Sequence, residues 1–178
     1  MKSLAVRNLG IAVLAMVVAS CASSNSPGAL SDQQIAMVVR TANDAAIQQA
    51  QVASPRLTDA RARDLAQSMV RDHAASNDRA RKLFIERNLV PAESSQSRTF
   101  RSTILGDSQT LATLGGASLD RAYVEGQVRM HRDLLGMIDK TLFPSARDQT
   151  LRDFLTEMRV SLAAHLAEAE AVERGLPK

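Results

Sequence analysis

Four stretches of the chain repeat apolar side chains every three or four residues, the period of an α-helix with one buried face. The first runs through Ile35, Val38, Val39, Ala42, Ala46, Gln49 and Ala53. Ser31-Asp32-Gln33-Gln34 before it fits a capping box, and Ser54-Pro55 is its stop, because the residue before a proline is pushed out of the helical region. The second has Thr58 as the expected N-cap, Asp59 in the first turn, and an inward stripe of Ala62, Leu65, Ala66, Met69, Val70, His73, Ala80 and Phe84. The third, Leu119 to Leu142, has a broad apolar side containing Tyr123, Gly126, Met130, His131, Leu134 and Ile138, and Phe143-Pro144 is its expected end. The fourth is expected to start at Ser145, where Ser145-Ala146-Arg147-Asp148 resembles a capping box. It follows Leu151, Leu155, Met158, Leu162, His165, Leu166, Ala169 and Val172 to the stop signals Gly175 and Pro177.

The connections decide how these helices are arranged. Turns of a few residues make the first and second helices antiparallel, and likewise the third and fourth. Leu89 to Ala117 is much longer, opened by Pro91 and closed by Gly115-Gly116, with two short helical pieces expected on either side of Gly106-Asp107. A 24-residue helix is about 36 Å long, and a connection of this length can run back along it, so the third helix can lie parallel to the second. No alternating Val/Ile-rich stretch suggests a strand. The expected fold is all-α: a ferritin-like four-helix bundle over residues 31–175, with a long crossover containing short helices.

Ahead of the bundle, Met1 to Ser20 has the parts of an export signal: Lys2 and Arg7, an apolar run from Leu9 to Val18, and small residues at the end. The run is too short to span a bilayer as a mature helix, which takes about 20 apolar residues. Val18-Ala19-Ser20-Cys21 looks like a bacterial lipobox, which makes Cys21 the expected lipid anchor. The competing reading is cleavage after Ala22 to give a plain secreted protein. Cys21 is the only cysteine, so a disulfide would need a second chain. Residues 21–30 read as a Ser-rich tether. Ala22, where an Asp would favour the inner membrane, points weakly to the outer membrane, with the bundle facing the periplasm.

Composition sharpens this picture in two ways. Hydrophobic residues are 45% of the chain but aromatics only 3%, with no Trp, so Ala and Leu must fill the core. The net charge of +3 includes Lys2 and Arg7; with those two removed from 22 basic side chains against 19 acidic, the mature chain is at +1. That balance gives no electrostatic case for nucleic acid, which needs a concentrated basic footprint.

Met69-Val70-Arg71-Asp72-His73, Leu119-Asp120-Arg121-Ala122-Tyr123-Val124 leading to His131, and Ala164-His165-Leu166, in that order, resemble a ferritin-like bacterial envelope family known as domain of unknown function 4142. The resemblance covers roughly Gln34 to Val172. It implies a helical bundle in an exported or membrane-associated protein, and it implies no particular activity. Many members have a Glu in the first helix where this chain has Ala46, so the resemblance carries over no metal site that would use that Glu.

Candidate chemistry rests on the only three histidines, His73, His131 and His165, each on the apolar side of a different helix. A ferroxidase-type di-iron centre needs Glu-x-x-His on two helices. Here Val70, Val128 and Leu162 stand three residues before the histidines, which excludes it. Three imidazoles pointing into one interior could instead hold zinc, copper or iron, and the neighbouring Met69 and Met130 would favour copper(I). The competing account makes each a buried histidine satisfied by one hydrogen bond, with Tyr123 or Gln127 as the candidate partner. Rings more than about 8 Å apart would exclude a shared site, since metal–nitrogen bonds are near 2 Å. No nucleophile elbow and no phosphate-binding loop is present, so nothing in the chain points to catalysis. The sequence therefore reads first as a lipid-anchored envelope protein acting as a binding or structural module. A metal-binding or redox protein using the three histidines is the alternative, and an adaptor for another, unidentified envelope protein is a third possibility.

Overall fold

The computed structural model describes residues 29–177. The expected export signal, Cys21 and most of the expected tether lie outside them. Leu30, at the end of that tether, is already buried in the core.

The described residues form helices α1 (Asp32–Ala53), α2 (Ala60–Glu86), α3 (Ser95–Thr113), α4 (Gly116–Met137), α5 (Phe143–Ser145) and α6 (Gln149–Gly175), and no strand. Helices α1, α2, α6 and α4 pack in that order around a ring, and α3 lies outside against α1 and, more lightly, α4. The two ends of the core show the directions. Residues 35–46 of α1 meet Ala80, Leu83 and Phe84 of α2, Met130 and Leu134 of α4, and Leu151 to Leu162 of α6. At the other end Ala50 and Ala53 meet Ala62 to Met69, Leu119 to Val128, and Ala169 and Val172. Helices α2 and α4 are therefore parallel, as the long crossover allows, and the architecture is the expected ferritin-like four-helix bundle. Among the described residues no helix is long and apolar enough to cross a membrane.

Local chemistry explains most of the boundaries. The capping box of α1 is complete: the Gln34 N–H donates to the Ser31 hydroxyl at 3.2 Å, and the Ser31 N–H to the Gln34 side chain at 3.0 Å. Helix α2 ends in a paired turn. Asn88 takes a left-handed φ of 52°, a conformation Asn tolerates better than most residues, and the Leu89 N–H reaches back to the Phe84 carbonyl at 2.8 Å.

Several expected boundaries move, each for a tertiary reason. Asp59, not Thr58, caps α2, accepting from the backbone of Arg61 and Ala62. Thr58 is engaged elsewhere: the buried Asp120 of α4 accepts from the Thr58 N–H at 2.7 Å, the Thr58 hydroxyl and the Asp59 N–H at 3.0 Å. Asp120 thus clasps the turn between α1 and α2. Asp148, not Ser145, caps α6, and Asp32 of α1 accepts from the backbone of Arg147 and Asp148 at 2.8 and 3.0 Å.

The crossover contains one helix where two pieces were expected. Phe100, Ile104, Ser108 and Leu111 form a single buried stripe across Gly106. A glycine inside a helix costs about 1 kcal/mol; burying the three apolar side chains contributes about 1.5–3 kcal/mol each, so the stripe wins. The C-terminus of α3 is held by Arg56, whose guanidinium donates to the carbonyls of Leu111, Ala112 and Leu114 at 2.9, 3.2 and 2.7 Å. Phe143-Pro144 does not end the helical path after α4. A π-helical turn, Ile138–Leu142, leads directly into α5, where proline occupies the first turn and needs no N–H partner.

Candidate metal centre

The two apolar ends of the core are separated by a polar layer. One position on each of α2, α4 and α6 falls in it: His73, His131 and His165, with residue exposures of 3%, 0% and 7%. Their ring centroids are 5.5 Å (His73–His131), 5.1 Å (His73–His165) and 5.5 Å (His131–His165) apart. One ring nitrogen from each lies within 4.8 Å of the others. All three predicted site residues are therefore brought together, well inside the separation that would have excluded a shared site.

The outer nitrogens fix how the inner ones are protonated. Asn43 donates through Nδ2 to Ser76 at 3.1 Å and so turns Oδ1 toward His73 Nδ1, 2.9 Å away. His131 Nδ1 lies 2.9 Å from the Gln127 backbone carbonyl, which can only accept. His165 Nε2 lies 3.2 Å from the Asp72 carboxylate. Each of these bonds puts the proton on the outer nitrogen and leaves a lone pair on the inner one. His73 Nε2 and His131 Nε2 then face each other at 3.4 Å as two acceptors. His165 Nδ1 is buried with no hydrogen-bond partner.

Electrostatics keep His73 and His131 neutral. Burial, followed by the charges His131 and His165 would carry, lowers the His73 pKa to about 3. Burial lowers His131 to about 4, against the opposing pull of the Gln127 carbonyl. Burial pushes the Asp72 carboxyl up, but hydrogen bonds from Arg71 and His165 outweigh it and hold it below its ordinary value. Asp72 therefore stays anionic beside the outermost histidine, with its side chain 39% exposed.

Three buried imidazoles, with one nitrogen of each within 4.8 Å of the others and an acceptor on the far side of each ring, make an arrangement that a transition-metal ion fits. With metal–nitrogen bonds of 2.0–2.1 Å, tetrahedral ligands lie about 3.3 Å apart. The His73–His131 pair already has that spacing. A satisfied structural histidine was expected to use Tyr123 or Gln127. Gln127 does serve His131, but through its backbone and at the outer nitrogen, so the inward nitrogens remain unexplained by a structural role. Met69 and Met130 are both buried, in the apolar clusters at opposite ends of the polar layer.

Asn43 and Asp72 were missed as site residues. Asn43 could have been found as a fully buried polar residue on the inward face of α1. Asp72 stands in the Met69–His73 stretch with no role of its own in the sequence, and only the packing of α6 against α2 turns it to His165. A surface cleft of about 750 Å³, lined by Phe84, Ile85, Leu89 and Val90 among others, includes none of the histidines.

Residues 18–172 match the family described as Domain of unknown function (DUF4142), and the chain belongs to that family. No match is found among curated proteins. The fold is similar to the crystal structure of a DUF305 protein from Streptomyces coelicolor that is described as secreted. The TM-score is 0.65 at 16% identity, covering 82% of this chain and 94% of that one. This likeness bears on the fold alone.

Proposed function

We propose that this member of the domain of unknown function 4142 family is an extracytoplasmic metal-binding protein that holds one transition-metal ion through His73, His131 and His165. One observation carries the reading: three buried imidazoles converge on one point with their outer nitrogens engaged by Asn43, the Gln127 carbonyl and Asp72. Neutral nitrogen donors suit zinc, copper, iron or nickel. Without a cation, the facing lone pairs of His73 and His131 repel in a medium of low dielectric. The Asp72 carboxylate supports the reading further, since a carboxylate behind a ligating histidine makes it a better donor and partly offsets the ion's charge.

The test is metal analysis of purified protein made without a histidine tag and exposed separately to zinc, copper and iron. One equivalent bound, and lost in His73→Gln and His131→Gln, is the expected result. Absence of stoichiometric metal after all three exposures overturns the reading.

The anchor belongs to the same proposal. Cys21, following a lipobox-like Val18-Ala19-Ser20, would carry the lipid and hold the bundle at the membrane facing the periplasm, at the outer membrane by the residue after it. Mass spectrometry of the N-terminal peptide tests this: acylated Cys21 is expected, and an unmodified N-terminus beyond Cys21 refutes it.

A second reading, docking to an envelope partner, rests on a different feature. Ile85 and Val90 are 75% and 73% exposed beside the cleft at the end of α2. Site-specific photo-crosslinking from Ile85 in intact cells would give a discrete adduct if it is correct, and none if it is wrong.

A further inference from the structure

The chain enters the bundle at one end, and that end carries exposed apolar side chains. Leu30, just ahead of α1, is buried in the cluster that holds Phe84 of α2 and Leu89 of the crossover. The first turn of α1 is tied to the same crossover: the Ala92 N–H donates to the Gln33 carbonyl at 2.9 Å, and the Gln34 Nε2 to the Glu93 carbonyl at 3.5 Å. Val90 is two residues, at most about 7 Å of chain, from Ala92. Ile85 stands on the other side of the turn that closes α2, its carbonyl accepting from the Asn88 N–H at 3.2 Å. Among the described residues Ile85 and Val90 are the most exposed large apolar side chains, and both line the cleft beside Leu89.

Chain length says what this end faces. Cys21 is nine residues before Leu30, and an extended chain covers at most about 3.6 Å per residue, so the two lie within about 32 Å of each other. Helices α2 and α6 have 27 residues each, about 40 Å of helix. A lipid on Cys21 therefore keeps the Leu30 end at the bilayer, and the far end reaches it only if the bundle lies down. Apolar groups at the near end need little affinity of their own, because the anchor makes their contact with the bilayer intramolecular. The cations that flank Ile85 are matched by carboxylates: Arg81 by Asp78 at 3.0 Å, Lys82 by Glu86 at 3.9 Å and Arg87 by Asp148 at 2.7 Å. Apolar contact, and not attraction to anionic headgroups, is what this surface offers.

We propose that Ile85 and Val90 dip into the interfacial layer of the bilayer that holds the lipid anchor, which makes the turn after α2 the membrane-facing tip of the protein. This rests on the Cys21 anchor proposed above. The occupant of the surface is phospholipid, and neutral and anionic headgroups serve alike. A protein partner or a second copy of this chain on the same side chains is a competing outcome of the test.

The test uses the processed, acylated protein reconstituted in phosphatidylcholine vesicles with and without phosphatidylglycerol. Acylation consumes the Cys21 thiol and the chain has no other cysteine, so Ile85→Cys, Val90→Cys or Val160→Cys takes a polarity-sensitive nitrobenzoxadiazole label alone. Val160 is the control: it is also exposed and apolar, but it stands on α6, about 16 Å along the helix from the same end. The expected result is blue-shifted emission from the labels of Ile85→Cys and Val90→Cys, quenched by a nitroxide-bearing phospholipid and equal in the two vesicle types, with the Val160→Cys label unshifted and unquenched. Unshifted emission from the first two, in protein whose Cys21 is acylated by mass spectrometry, overturns this inference and leaves the anchor standing. So does a shift that the nitroxide lipid does not quench, since protein then covers the surface; loss of that shift on dilution into more lipid identifies a second copy. Equal quenching of the Val160→Cys label also overturns it, because the bundle then lies along the bilayer. An unmodified N-terminus beyond Cys21 overturns the anchor and this inference together.

Discussion

Lowering the pH of the metal-free protein from 7 to 5 should destabilise it by about 4 kcal/mol, through two side chains. His73 and His131 have folded-state values near 3 and 4 against 6.5 when unfolded. Below pH 6.5 the unfolded chain takes up protons at both positions and the folded chain does not. Their values are lowered on folding, so stability is fully present above the unfolded value and is lost as pH falls below it. One pKa unit corresponds to about 1.4 kcal/mol, so each histidine costs about 2 kcal/mol between pH 7 and 5. That is a large share of the 5–15 kcal/mol typical of a folded domain. The window excludes the carboxylates: Asp59, Asp72 and Asp148, also lowered, lose their contribution only as pH falls through and below the ordinary value of 3.8. The assay is urea unfolding of chelator-treated protein at pH 7, 6 and 5, comparing stabilities at constant m-value. His131→Gln should lose about half of the dependence, and His73→Gln/His131→Gln nearly all of it. A wild type no more sensitive than the double variant over this window would show that the two imidazoles are not held neutral by burial, and the argument from their lone pairs would fall with it.

Three further substitutions test single contacts. Asn43→Leu leaves the outer N–H of His73 unpaired and should lower stability by about 1–3 kcal/mol in the same unfolding assay; an unchanged midpoint would mean that His73 does not depend on this bond. Asp72→Ala removes the carboxylate behind His165 and should weaken metal binding about 10–100-fold in a competitive titration, with the fold intact by circular dichroism; wild-type affinity would exclude Asp72 from the centre. Arg56→Ala frees three carbonyls at the end of α3 and should cost about 1 kcal/mol, read as faster amide exchange in α3 than in α4; uniform exchange would show that α3 is held by its apolar stripe alone.

Much of this architecture is visible in local pattern. The capping box at Ser31 and the apolar stripes of four helices depend on residues within a turn of one another, and they hold as expected. The stop at Ser54-Pro55 does not act as expected: Ser54 keeps helical angles (φ −48°, ψ −44°) and the chain only tightens into a 3-10 turn, Ser54–Arg56, that ends at the extended Leu57. The other boundaries that moved are those where a distant carboxylate intervenes. Asp120 draws Thr58 away from capping, and Asp32 supports the backbone ahead of Asp148; no local rule pairs residues 62 or 116 positions apart. Gly106 was expected to break the crossover because its own neighbourhood favours a break. The cost of a helical glycine is set against burial on α1 and α4, which a local reading cannot weigh.

For the candidate centre the division is equally physical. The sequence by itself determined that three histidines lie on the inward faces of three helices, because a side chain's face follows from the 3.6-residue period alone. It also excluded the di-iron pattern, since no glutamate stands three residues before any of them. Only the tertiary structure decided that His73, His131 and His165 share one level of the bundle. Axial position depends on how far each helix slides along its neighbours, and that stagger is set by the packing of both apolar ends and by the turns that Asp120 and Asp32 clasp. The same stagger brought Asn43 and Asp72 behind the rings, turning three separate inward positions into one candidate site.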